Sequence, residues 1–146
     1  MRAFWKRRSD EADEDPTHIA FGKWGEQVAA AHLKQNGYKI IGTRVRVGKK
    51  DEIDLLARDR ERDALVFVEV KARKNEHYGR PSDAVNRQKR YHLSRAAVRY
   101  LEKLKSKPPY FRFDIVEVIG ELEGPDPEIR HIKNAFTLSK PFKVTW

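Results

Sequence analysis

Glu26, Asp54, Glu69 and Lys71 are residue types that together could hydrolyse a phosphodiester. Carboxylate oxygens are hard ligands suited to Mg2+ or Mn2+. One or two such ions orient a scissile phosphate, polarise it and acidify an attacking water. A lysine two residues past a ligand carboxylate, on the same strand face, can touch the same phosphate or water and offset developing negative charge. The spacing required is an acidic residue on one strand and E-x-K on the next. Asp54 precedes Glu69-Val70-Lys71 by fifteen residues, the length of a hairpin. The pattern D…E-x-K is common by itself, so the elements that carry it decide its meaning.

Residues 22–36 are predicted to form a helix closed by Gly37. On a helical wheel Val28, Ala29, His32 and Leu33 form the apolar arc, and Glu26 falls at its edge, toward the sheet. In DEIDLLA, Glu52 and Asp54 are expected on one strand face and Ile53 and Leu55 on the other. Asp54 then lies where the strand enters the core, which is costly for a carboxylate unless it is paired or bound to metal. In FVEVKAR, Phe67, Glu69 and Lys71 share one face and Val66, Val68 and Val70 the other. Each residue taken singly also has a structural reading. Glu26 can be a first-turn glutamate favoured by the helix dipole. Glu69 and Lys71 can be a same-face ion pair worth about 0.2–1 kcal/mol. The functional reading comes from the set, because all four sit near the ends of elements that must pack together.

The remaining pattern supplies the frame. A strand over KIIGTRVRV turns at Gly48–Lys50 into DEIDLLAR, and the run ALVFVEVKAR makes a third strand buried on both faces. Ser82 or Asp83 is expected to cap a long helix reaching about Lys105, which Pro108 and Pro109 prevent from continuing. FRFDIVEVIG is a fourth strand and EIRHIKNAF a fifth, at an edge. The order predicts an α/β fold with a central mixed sheet flanked by helices. Residues 1–17 are expected to be a mobile charged tail and residues 18–146 one domain.

Composition narrows the function. Net charge is +9, and residues 1–16 carry four basic against five acidic residues, so the positive excess belongs to the body. That predicts a polyanionic partner, with nucleic acid ahead of a membrane surface. The tail, of mixed sign, is a candidate docking segment for another protein. No apolar run is long enough to span a bilayer, and the N-terminus lacks a secretory apolar region. With no cysteine there is no disulfide framework or thiolate metal site, which fits a cytoplasmic location. The five histidines never make H-x-x-x-H, and no P-loop or G-x-S-x-G is present.

Five motifs then occur in order: G-x-x-G-E (Gly22 to Glu26), A-x-x-L-x-x-x-G-Y (Ala30 to Tyr38), E-I-D (Glu52 to Asp54), F-V-E-V-K-x-R (Phe67 to Arg73) and R-F-D (Arg112 to Asp114). Together they resemble the YraN-like bacterial family, which is uncharacterised and similar to the PD-(D/E)XK nuclease superfamily and its Holliday-junction resolvase branch. The resemblance covers about Gly22 to Phe136. It implies a restriction-endonuclease-like α-β-β-β-α-β core. Glu26, Asp54 and Glu69 would hold Mg2+ or Mn2+, and Asp54, Glu69 and Lys71 would be catalytic. It also implies a DNA substrate, branched DNA included, and a homodimer matching two-fold symmetric junctions. One position departs from it, since Asp51 stands where the family usually has a glycine before E-I-D.

Nuclease-like folds of this kind often place a basic residue at the start of the long helix, which makes Lys89 a phosphate-contact candidate. The loop RKNEHYGRP leaves the strand just past Lys71 and mixes cations with an aromatic, so Arg73, Lys74, Tyr78 and Arg80 are nucleic-acid-binding candidates. Arg95, Arg99 and Lys103 trace a stripe read as a solvated face, and Arg112 with Asp114 as a structural pair. A nucleic-acid-binding scaffold with little or no catalysis is the alternative function.

Overall fold

The computed structural model describes residues 16–146, so nearly all of the expected tail lies outside the described residues. The elements are α1 (Pro16–Gln35), β1 (Tyr38–Val47), β2 (Asp51–Asp59), β3 (Ala64–Arg73), a 3-10 turn (Pro81–Ala84), α2 (Arg87–Lys103), β4 (Tyr110–Ile119) and β5 (Glu128–Phe136). The strands form one sheet in the order β1-β2-β3-β4-β5. β3 and β4 are parallel and every other neighbouring pair is antiparallel. A parallel pair needs a long crossover, and α2 supplies it.

The two helices cover opposite faces of the sheet. Ala29 and Leu33 of α1 pack with Leu55, Val66, Val68, Val70 and Val116. Leu93, Ala96, Ala97 and Leu101 of α2 pack with Ile53, Leu56, Phe67, Phe113 and Phe136. Every residue of β3 from Ala64 to Val70 is buried, as an apolar run covered on both faces requires. Each fully buried leucine in these layers contributes about 1.5–3 kcal/mol over leaving it exposed. This is the α/β fold with a mixed central sheet flanked by helices that the sequence predicts.

Three local expectations are corrected. The first helix begins at Pro16, not Gly22, so Pro16 and Thr17 belong to α1 rather than to a tail. Proline is well placed there, since a first-turn N–H has no helical acceptor. Gly37, at φ 89°, ends that helix as expected. The second helix is capped by neither Ser82 nor Asp83, which belong to the 3-10 turn. Its cap is Asn86, whose side chain accepts from the Lys89 N–H at 2.9 Å. Finally, Ile53 packs in the α2 cluster and Leu55 in the α1 cluster, so the pleat does not hold through Asp54. Arg44, between the paired Thr43–Leu55 and Val45–Ile53 positions, has a left-handed φ of 47°.

Candidate metal and phosphate site

β2 parts from β3 beyond Leu55–Val68, the last paired positions. Asp54 is the next residue of β2. Its Oδ2 accepts from the Val70 N–H at 3.0 Å, where a ladder carbonyl would otherwise sit. The carboxyl group of Asp54 is thereby held at the split, close enough to Glu69 for the two groups to interact. Burial pushes the Asp54 carboxyl well above the ordinary carboxylate range, and the neighbouring Glu69 pushes it the same way.

Glu69 is almost fully buried, with its side chain 2% exposed. Two ammonium groups meet its Oε2: Lys71 Nζ at 3.3 Å and Lys89 Nζ at 3.2 Å. Lys71 comes from two residues along the same strand face. Lys89 comes from the first turn of α2, on the opposite side of the sheet from α1. Glu69 Oε1 is buried and receives no hydrogen bond. An acceptor left bare beside a second carboxyl is costly unless a proton or a cation is shared between them. Asp54 and Glu69 therefore fit a hard divalent cation, by donor chemistry and by this open oxygen.

Glu26 is not part of that pair. Close packing brings α1 to the end of β3, because a Cβ on Gly25 would lie 2.7 Å from Ala72 Cβ. The Glu26 carboxylate is instead held by Arg44, with Nε 2.8 Å from Oε1. Among the described residues no group of three acidic or histidine side chains converges as a preformed metal cage. The ion pair is partly exposed, and surface pairs are worth about 0–1 kcal/mol, so a modest interaction holds Glu26 away.

The loop after β3 is fixed from below. Glu117 of β4 is fully buried and takes the Arg80 guanidinium at 2.9 Å, the Ser82 N–H at 2.8 Å and Arg130 at 2.9 Å. Burial raises its carboxyl, but the bonds from Arg80 and Ser82 and the charge of Arg130 outweigh that and hold it at about 2. Arg130 also pairs with Glu76 inside the loop. Arg80 thus anchors the loop, whereas Arg73 and Lys74 are exposed and Tyr78 is fully exposed. Glu26, Lys71, Arg73 and Lys74 line a cleft of about 750 Å³ that opens between α1 and the end of β3.

The site has supports that sequence reasoning missed. Asp51 is buried and gripped by Arg95 through two 2.8 Å hydrogen bonds, with Arg99 at 3.9 Å. The stripe read as a solvated face therefore clamps the start of β2 to α2. Burial raises the Asp51 carboxyl, yet Arg95 brings it below its ordinary value. The signal was Asp51 itself, an acidic residue at a strand start facing a basic helix. At the other end of the sheet, Arg112 does pair with Asp114 at 2.9 Å, and also with Asp59 and Tyr38.

Comparison with known proteins gives a consistent family. Residues 25–118 match the model described as "Uncharacterised protein family UPF0102". A UPF0102 protein of Symbiobacterium thermophilum is 48% identical over 117 residues, spanning 79% of this chain and 94% of that protein. A UPF0102 protein of Acetivibrio thermocellus is 43% identical over 120 residues, 80% of this chain and 91% of its own. No solved structure gives a significant match.

Proposed function

The chain belongs to the uncharacterised protein family UPF0102, related to restriction-endonuclease-like nucleases, and on that premise we propose that it is a nucleic-acid-binding, Mg2+- or Mn2+-dependent endonuclease acting on DNA phosphodiesters, branched DNA included. The observation that carries this reading is the Asp54–Glu69 pair, with one buried oxygen open and the other beneath two lysines. Mg2+ or Mn2+, when bound, supplies Lewis acidity to the phosphate and lowers the pKa of a water. Asp54 and Glu69 would hold it, and Glu26 would join once released from Arg44. Lys71, with its side chain 22% exposed at the mouth, donates to a phosphoryl oxygen or orients the attacking water. Lys89, at the same Glu69 oxygen, steadies the same phosphate. Arg73, Lys74 and Tyr78 extend the contact along the strand of DNA. The exposed cations account for a basic body on a chain in which no described helix is long and apolar enough to cross a membrane.

The test is incubation with single-stranded, duplex and four-way-junction DNA in Mn2+. Cutting that disappears in Asp54→Ala and Lys71→Ala supports the proposal; cutting that survives both sinks it. A second reading has its own observation in the Glu26–Arg44 pair, which leaves the metal set incomplete. It makes the protein a nucleic-acid-binding module with little catalysis. Salt-sensitive DNA binding without metal-dependent turnover distinguishes it.

A further inference from the structure

Gly22 lies inside α1, where glycine disfavours the helix more than any residue but proline. Among the described residues no neighbour requires it. A Cβ built on Gly22 would meet nothing within 4 Å, whereas one on Gly25 would collide with Ala72. Packing among the described residues therefore explains Gly25 but not Gly22. What the missing side chain keeps open is the cleft of about 750 Å³ that Lys71 and Glu26 also line.

That cleft has two kinds of wall. Phe21 and Leu122 border it with apolar surface, and Lys71, Arg73 and Lys74 border it with positive charge. Leu122 is half-exposed, and the Phe21 ring is braced by Trp24 at 5.3 Å between centroids. Glu26 also lines it, but Arg44 at 2.8 Å compensates its charge, so it does not bar an anion. The volume is that of a small-ligand site. A cleft lined by an aromatic ring, aliphatic surface and cations suits a nucleobase together with its phosphate. A base within a duplex cannot enter, because its faces are stacked and its edge is paired.

We infer that this cleft receives one unpaired nucleotide of a bulged or branched DNA, its base against Phe21 and Leu122 and its phosphate on Lys71, Arg73 and Lys74. The inference rests on the nucleic-acid reading above and adds the substrate feature that would be recognised. It gives Gly22 the role of leaving room for the base.

Fluorescence anisotropy of the full chain, in buffer without divalent metal, tests this with two labelled DNAs. One is a perfect duplex and the other is the same duplex with a single unpaired nucleotide. The wild type is expected to prefer the second by about tenfold, as loss or gain of one stacked base would give. Gly22→Leu fills the cleft and is expected to erase that preference. Gly22→Ala should melt about 2–4 °C higher than the wild type, which shows that the helix accepts a side chain at this position. Gly22→Leu keeping the full preference overturns the inference, and so does a wild type that binds both DNAs equally; both results leave the nucleic-acid reading standing. A wild type that binds neither DNA overturns that reading and this one together.

Discussion

Lys89 Nζ stands 3.2 Å from Glu69 Oε2, joining the first turn of α2 to the end of β3. Lys71 Nζ reaches the same oxygen at 3.3 Å from the same strand. Two cations thus neutralise one oxygen of a buried carboxylate and leave its other oxygen bare. A metal ion seated against Asp54 and Glu69 would lie close to both ammonium groups and be repelled by them. Lys89→Gln should therefore tighten Mn2+ binding, by about two- to tenfold for one like charge at a partly exposed site. The same variant should cut DNA more slowly. Counting free Mn2+ by electron paramagnetic resonance checks the first part, and weaker Mn2+ binding in Lys89→Gln would refute it.

Arg44 holds Glu26 by a partly exposed pair from a left-handed backbone position. Asparagine tolerates that backbone, so Arg44→Asn removes the pair without adding strain. Stability is expected to change by less than about 1 kcal/mol. Mn2+ binding is expected to strengthen, because Glu26 becomes free to join the two buried carboxylates. Unchanged Mn2+ affinity in this variant would remove Glu26 from the ligand set.

Gly25→Ala places a methyl 2.7 Å from Ala72 Cβ, and no flexible side-chain end can move aside. Overpacking of this kind costs about 1–3 kcal/mol. The helix must shift away from β3 and carry Glu26 with it. A thermal melt should show the loss, in contrast to the expected gain for Gly22→Ala three residues earlier.

Glu117 makes stability depend on acid. Its carboxyl lies at about 2 in the folded chain against an ordinary value of 4.5, so the unfolded chain binds a proton more readily. The stabilisation is complete above the unfolded value and is lost as pH falls from there through about 2. Glu117→Gln should lower stability at neutral pH by about 2–4 kcal/mol, since Arg80 and Arg130 lose their shared anion. The gap between variant and wild type should narrow as pH falls below 4.5 and close only below about 2. Melting curves at neutral and acid pH measure it; a gap that stays constant would show that the carboxylate charge is not the source.

Much of the frame can be read from particular residues. The buried run from Ala64 to Val70 and the alternation on its two faces follow directly from side-chain type, so β3 and the common face of Glu69 and Lys71 were legible. The cost of burying Asp54 pointed to its need for a partner, which the Val70 N–H supplies. Less local features were hidden. Pro16 reads in the sequence as the end of a charged tail, and the helix it belongs to is seen only in the fold. The cap of α2 is Asn86, while Ser82 and Asp83, which the sequence offers for it, belong to the 3-10 turn. The pairs Lys89–Glu69, Arg95–Asp51 and Arg80–Glu117 join elements that no periodicity places side by side. They depend on where the β3–α2–β4 crossover lays its helix and loop, which is a property of the whole fold.

The most direct measurement for the Asp54–Glu69 pair is a Mn2+ titration, followed by electron paramagnetic resonance, of the wild type, Asp54→Asn and Glu69→Gln. The account predicts a bound ion in the wild type and a loss of at least about tenfold in affinity in each variant, with melting curves showing both still folded. Equal Mn2+ binding by all three proteins, or none by the wild type, would contradict it.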